Sequence, residues 1–585
     1  MNEVKMVNIK IDGRDYSVPD GSTILEACRM AKVKIPTLCY FKDLNPLGAC
    51  RMCVVEVKKM RGLQASCVTP VSEGMEVLTN TKSVLSSRKT TLELILSNHN
   101  NDCNSCFKSG RCDLQRLSQE YDCDANRFGG SKTPSEVEAT RYLIRDNSKC
   151  ILCRRCVAIC NKRQHVSVIG ANRRGFNTYI GTAFNEDLDK TGCVACGQCI
   201  TVCPVGALRE KDDTDKVFEA IHNPDLHVVM LVAPAVRVAI GEEFGYPVGT
   251  NQQGKMVAAM RRLGVDAVLD VNFAADLTIM EEGHEFLDRL QNGGKLPMFT
   301  SCSPGWINYI EQYYPEYLEH LSTCKSPQMM AGALVKTYYA KAHDLDPKKI
   351  FAVTVMPCVA KKGEIAREEM QNADGIRDLD ASITTREFAR MVRKYAIDFR
   401  DLPDEDFDPL IGHGSEAGLL FGATGGVMEA ALRTVYEVVE KKPLDKLEFN
   451  CVRGTEGIKR ATVQIGGKDV KVAVASGIEN AHILMEELKS GKLNDYHFIE
   501  IMCCPGGCVT GGGQPLQPED VWAKMDVKMV RAKAIYDTDK KGIIRKSHEN
   551  PEIIAIYENF LGKPNGHKSH ELLHTHYKNR QDRKV

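Results

Sequence analysis

Three short stretches, TSCSPGW at 300–306, MPCVAKK at 356–362 and MCCPGGCVTGGGQP at 502–515, place cysteines in Pro- or Gly-bearing loops far apart in the chain. A pattern of this kind serves a folded site that draws several thiolates from distant loops. Apolar runs lead into each loop: Leu296–Phe299, Phe351–Val355 and Phe498–Ile501 read as strands, and Val228–Val232 as a fourth upstream. Strands alternating with helices from about residue 220 are the signature of an α/β arrangement, and open α/β sheets place ligands at the carboxyl ends of their strands. Pro505, Gly506 and Gly507 let the backbone wrap closely around a bound group.

Working outward, 585 residues imply several domains, because single cores rarely grow beyond ~250–300 residues. Lys+Arg and Asp+Glu both total 77, which leaves no basic excess for nucleic acid and no acidic tail. The opening MNEVKMVNIK lacks an apolar signal region, and no twin-arginine leader is present. No uninterrupted apolar run approaches the ~18 residues of a membrane span. The apolar stretch at 228–240 is broken by Pro234 and Arg237, which suits a buried strand and turn. The expectation is a soluble, cytoplasmic protein. Its 24 cysteines, many in C-x2-C spacing, favour metal ligation over disulfides in such a chain.

Before residue 215 the cysteines fall into ordered groups. Val7, Ile9 and Ile11 alternate ahead of the Asp12-Gly13 turn, followed by Tyr16 and Val18, which predicts a β-hairpin. Thr23 and Glu26 fit a capping box for a helix running to Ala31, with Cys28 in its core face. There follow Cys39, Cys50, Cys53 and Cys67, with Gly48 and Gly62 nearby. Next come His99, Cys103, Cys106 and Cys112, spaced H-x3-C-x2-C-x5-C; spacing alone leaves zinc and an iron–sulfur cluster both open. Cys150, Cys153, Cys156, Cys160 and then Cys193, Cys196, Cys199, Cys203 before Pro204 form two C-x2-C-x2-C-x3-C runs, the bacterial two-cluster ferredoxin pattern. There the fourth cysteine of each run serves the other cluster, so Cys203 joins Cys150, Cys153 and Cys156, while Cys160 joins Cys193, Cys196 and Cys199.

Together these motifs resemble the iron-only (FeFe) hydrogenases along nearly the whole chain. The resemblance implies a multidomain α+β and α/β fold. It would comprise a β-grasp 2Fe-2S ferredoxin at 1–80, a small 4Fe-4S domain at 81–125 with one histidine and three cysteine ligands, and a two-4Fe-4S ferredoxin at 139–215. A catalytic iron-hydrogenase domain at 220–585 would follow, ending in a small-subunit-like segment. The resemblance also implies an active-site 4Fe-4S cubane held by Cys358, Cys504 and Cys508. Cys508 would further bridge to a di-iron unit carrying CO, CN and a dithiolate. The imidazole of His99, neutral where a thiolate is anionic, would set that cluster's potential apart.

One departure matters. The family signature has adjacent cysteines, the first a proton carrier and the second a cubane ligand; here the pair is Cys302-Ser303, with Pro304, Gly305 and Trp306 in register. Either Ser303 supplies an oxygen ligand, or Cys302 shifts into the ligand role. Cys503 stands where relatives often carry alanine and reads as a packing residue. Cys28, Cys123, Cys324, Cys451 and Cys503 have no assigned role. Glu282, Glu285 and Arg289 lie at i, i+3 and i+7, which on spacing alone reads as a solvated charged face. The resemblance instead puts them, with Ser322 and Cys302, on a proton route to solvent. It also sets Lys361 against one cyanide of the di-iron unit. Gln328, Met356 and Met502 would be its neighbours and Pro234 the loop over the other cyanide. Ala235 replaces a serine common there.

FGATGGVMEAALR at 421–433 lacks both the Gly-Lys-Ser/Thr of a P-loop and a G-x-G-x-x-G, so it reads as a tight turn into a helix with Glu429 and Arg433 exposed. No nucleotide fold is evident. The expected activity is reversible oxidation of dihydrogen. Electrons would be relayed to a flavin- and NAD(P)-binding subunit with a small 2Fe-2S subunit, or to ferredoxin, and maturation proteins would be needed. The competing classes are a non-catalytic hydrogen sensor and a complex-I-like wiring subunit. The latter leaves everything after residue 220 unexplained.

Overall fold

The computed structural model describes residues 5–372 and 374–583, so the first four residues of the opening decapeptide lie outside it. The hairpin forms as its alternation requires. Met6–Ile11 and Arg14–Pro19 pair antiparallel around Asp12 and Gly13, both with positive φ, and bury Val7, Ile9 and Ile11. Thr23 and Glu26 cap each other reciprocally at the start of the helix Ile24–Met30, in which Cys28 is wholly buried. With Glu76–Leu78, Val54–Val57 and Gln64–Ala65 the hairpin completes a five-stranded sheet.

The helix Lys82–Asn98 ends at His99, and Asp113–Glu120 starts after Cys112. The two ferredoxin runs fold alike. Each sends its chain through a left-handed residue, Arg154 or Gly197, into a short helix, Arg155–Lys162 or Gln198–Thr201.

The catalytic region holds two sheets. One is fully parallel, in the order Ala267–Asp270, His227–Val232, Ile350–Met356, Ala381–Thr384. The other runs Met298–Phe299, Phe498–Met502, Lys468–Ser476, Ile458–Ile465, with only its last pair antiparallel. The strand expected over Leu296–Phe299 is reduced to Met298–Phe299, since Pro297 has no N–H for a ladder. Between the sheets lies the long helix Val271–Asn292. It gives Ala274 and Leu277 to one core and Ala275 and Ile279 to the other. Buried on two faces, this helix cannot present an ordinary solvated stripe.

Glu429 and Arg433 are not exposed, contrary to the sequence expectation. Both are fully buried on the helix Gly426–Glu440. Arg433 binds Glu429 at 2.7 Å and Asp539 at 2.8 Å, and Arg453 and Arg545 close the network. The charges that make burial tolerable come from residues distant in sequence, which i,i+4 spacing does not reveal. The turn ahead of that helix is capped by a carboxylate: Glu500 accepts the Gly425 N–H at 2.6 Å and the Met428 N–H at 2.8 Å. The C-terminal segment docks through buried Asp276, which accepts from Ser415, Ser547 and Asn550. Among the described residues no helix is long and apolar enough to cross a membrane.

Candidate active site and its proton and electron connections

Parallel strands deliver the cysteine loops to one place. Cys358 follows Ile350–Met356, Cys302 follows Met298–Phe299, and Cys503, Cys504 and Cys508 follow Phe498–Met502. A single cavity is lined by Cys302, Ser303, Cys358, Cys504 and Cys508 together with Pro234, Gln328, Met356, Lys361 and Met502. Every residue that the resemblance puts around the active cluster therefore faces this one cavity. Gly507, at φ 93°, is required here: a Cβ would stand 2.6 Å from the Thr424 amide nitrogen. Burial pushes the Cys508 thiol up to about 12 and raises Cys358 as well. A convergence of buried thiols becomes thiolate when an electrophilic metal group displaces the protons, so the donor set fits an iron–sulfur group.

Lys361 is held rigidly. Its Nζ donates to the Cys302 carbonyl at 3.2 Å, Ser326 Oγ at 2.7 Å and Glu364 Oε2 at 2.8 Å. Gln328 donates to the same Glu364 oxygen at 2.6 Å and accepts from Thr354 at 3.0 Å. Sequence reasoning missed Glu364 and Ser326, although Glu364 sits one helical turn from Lys361.

The Glu282 carboxylate acts on Cys302 through space. Glu282 is 1% exposed, and neither of its carboxylate oxygens has a hydrogen-bond partner among the described residues. Burial, then the Glu285 charge, pushes its carboxyl up to about 8. Ser322 Oγ donates to Glu285 Oε2 at 2.9 Å, and Arg289 Nη2 donates to Glu285 Oε1 at 2.6 Å. Spacing also gave no hint of a buried cluster beside Glu285. Cys324 and His574 bring a sulfur and a ring nitrogen within 4.8 Å of a Glu285 oxygen and of each other. His574 also pairs with Glu281 at 3.1 Å, and Tyr557 donates to Glu281 at 2.5 Å. His574 lies 293 positions from Glu281, a separation that no local pattern reports.

All eight cysteines of the two ferredoxin runs line one cavity. Cys156 is acted on through space by Cys153, Cys150 and Cys203, and Cys199 by Cys196, Cys193 and Cys160. Cys53 and Cys67 place their sulfurs 3.2 Å apart, while Cys39 and Cys50 exchange amide-to-sulfur contacts at 3.4 Å. Asn45 bridges the two modules, donating to the Cys39 carbonyl at 2.8 Å and the Cys153 carbonyl at 3.0 Å. His99 is buried, its Nδ1 has no partner among the described residues, and burial lowers its imidazole to about 4. A neutral ring with an orphaned nitrogen is suited to metal binding. Cys103, Cys106 and Cys112 are half-buried on the loop that follows.

The chain matches the C-terminal domain of the iron-only hydrogenase large subunit at 226–512 and the iron hydrogenase small subunit at 525–580. It further matches a 2Fe-2S cluster binding domain at 4–82, the NADH-ubiquinone oxidoreductase-G iron-sulfur binding region at 88–127 and a 4Fe-4S dicluster domain at 149–207. The protein belongs to the iron-only hydrogenase family and is an oxidoreductase acting on dihydrogen. It is 47% identical to the NADP-reducing hydrogenase subunit HndD of Solidesulfovibrio fructosivorans, over 99% of this chain and 100% of the relative. It is 42% identical to iron hydrogenase 1 of Clostridium pasteurianum, over 98% and 100% respectively. The apo FeFe-hydrogenase HydA1 of Chlamydomonas reinhardtii has a similar structure, with TM-score 0.57 and 40% identity over 64% of this chain and all of that one.

Proposed function

We propose that the cavity between the cysteine loops holds the hydrogen-activating cluster, with Cys358, Cys504 and Cys508 as cubane ligands and Cys508 as the bridge to a di-iron unit. The observation that carries this reading is the convergence of all three motif loops, with Lys361, Gln328 and Met356, on one cavity. When bound, the di-iron unit supplies an open metal position at which dihydrogen is split or formed.

The chain's own residues move the protons and fix the surroundings. Lys361, anchored by Glu364 and Ser326, presents a fixed positive charge to the cavity. Cys302 exchanges a proton with the cavity on one side and with Glu282 on the other. Glu282 is suited to this because its oxygens are unpaired and its carboxyl titrates near neutrality, where a relay group gives and takes protons with least cost. Ser322 and Glu285 carry the proton on, and Arg289 marks the exit. Such a line favours a turnover enzyme over a sensor, which has no need of fast proton exchange.

Electrons travel through one 2Fe-2S cluster at Cys39, Cys50, Cys53 and Cys67 and three accessory 4Fe-4S clusters. Those are held by His99 with Cys103, Cys106 and Cys112, by Cys150, Cys153, Cys156 and Cys203, and by Cys193, Cys196, Cys199 and Cys160. Their acceptor is a flavin- and NAD(P)-binding subunit, with a small 2Fe-2S subunit between. Support comes from full-length similarity to a protein described as a subunit of an NADP-reducing hydrogenase. Maturation proteins assemble the di-iron unit, and the complex works in the cytoplasm. An infrared spectrum of matured protein tests the first claim, with bands in the CO and CN stretching region expected and their absence decisive against it. Native purification tests the second: a lone 65.0 kDa species with full ferredoxin-linked activity overturns the complex.

A further inference from the structure

A 4Fe-4S cubane takes four protein ligands, and its iron prefers soft thiolate to hard hydroxyl oxygen. Cys358, Cys504 and Cys508 supply three, and the position in register for the fourth is Ser303. Its Oγ accepts the N–H of Cys503 at 3.2 Å, so the two residues rise from backbone segments that touch. Both line the active-site cavity. The Cys503 side chain is buried, its sulfur shares its surroundings with the thiols of Cys504 and Cys196, and it lies 3.8 Å from the Gln164 amide oxygen. Gly305 leaves room for that sulfur, since a Cβ there would stand 2.5 Å from it.

We propose that Cys503 supplies the fourth thiolate of the active-site cubane in place of Ser303, an inference that rests on the cubane assignment above. Ligation exchanges the Cys503 S–H bond for an S–Fe bond and releases one proton. Cys302 is the competing thiol. It faces Glu282, Cys508, Glu500 and Lys361 and packs in the core of Ala275 and Met428, on the side of the carboxylates, whereas Cys503 packs with Val194 and Trp306 on the ferredoxin side beside Cys504. The exchange of positions leaves Cys302 free to carry protons, and it puts a cubane ligand against Cys196 of the neighbouring cluster.

The test compares matured full-length protein with Cys503→Ala, Ser303→Ala and the double variant Ser303→Cys/Cys503→Ala. Iron per chain and the CO and CN infrared bands are read, with visible absorption of the front-end clusters as the folding control. Cys503→Ala is expected to lose about four irons of the cubane and the infrared bands, Ser303→Ala to keep both, and the double variant to regain both. Iron loss in Ser303→Ala, or full iron and bands in Cys503→Ala, overturns the proposal. Should Cys503→Ala fail to fold, the double variant carries the test, recovery of iron supporting the proposal and its absence overturning it. Bands missing from unsubstituted matured protein would instead sink the active-cluster reading, while the iron counts still decide between Cys503 and Ser303.

Discussion

Gly197 and Gly512 meet back to back: a Cβ on Gly512 would stand 2.7 Å from the Gly197 Cα and 2.3 Å from the Cys196 carbonyl oxygen. Two side-chain-free residues thus let the loop after Cys508 lie directly on the loop that carries a ferredoxin cysteine. Gln198 ties the same two loops, donating to the Thr510 carbonyl at 2.9 Å.

Gly512→Ala is expected to force these loops apart, because the atoms its methyl meets are backbone and cannot rotate away. Overpacking of this kind costs about 1–3 kcal/mol. Thermal unfolding should shift downward, and reduction of the front-end clusters by dihydrogen should slow while the infrared bands persist. An unchanged reduction rate and midpoint would show that the contact is incidental.

Glu282→Gln keeps the shape of the side chain and removes its proton. Turnover is expected to fall by ~10²–10⁴, the usual loss when acid–base transfer fails, with iron content unchanged. Near-normal turnover would remove Glu282 from the route.

The same substitution alters stability in a pH window set by its titration. The folded state holds the Glu282 proton up to about 8, whereas the unfolded carboxyl loses it near 4.5. The contribution is therefore fully present below the lower value and is lost as pH rises toward the upper one. The decline is on the order of a few kcal/mol. Denaturant midpoints measured between pH 4.5 and about 8 should fall more steeply in the unsubstituted protein than in Glu282→Gln. Parallel profiles would contradict the raised titration.

Arg433→Met should destabilise strongly, because Glu429 and Asp539 lose a partner inside the fold and Arg453 and Arg545 cannot replace its geometry. Breaking one member of a buried pair typically costs about 3–5 kcal/mol. Equilibrium unfolding measures it, and a change below about 1 kcal/mol would mean that the network is solvated like a surface pair.

Glu364→Gln tests the anchoring of Lys361. With the carboxylate charge gone, the buried ammonium keeps only neutral acceptors: Ser326 Oγ, the Cys302 carbonyl and the amide oxygen of the new side chain. The expected results are a loss of about 3–5 kcal/mol and shifted CN stretching frequencies in the matured protein. Unshifted bands with normal stability would show that Lys361 is positioned by other groups.

Much of this protein is written locally. The hairpin around Asp12-Gly13, the Thr23–Glu26 capping box and the paired ferredoxin runs depend on spacing within a few residues. The strands entering the cysteine loops were legible for the same reason. The burial of Glu282, the Glu429–Arg433–Asp539 network, the Glu364 anchor and the His574 cluster were not, because each depends on a neighbour brought in from another element. A charged residue reads as solvated until its environment is known, and environment is a property of packing. The contact of Ser303 with Cys503 is of the same kind. Their residue types stand in the sequence 200 positions apart, and only the parallel strands Met298–Phe299 and Phe498–Met502 set them side by side.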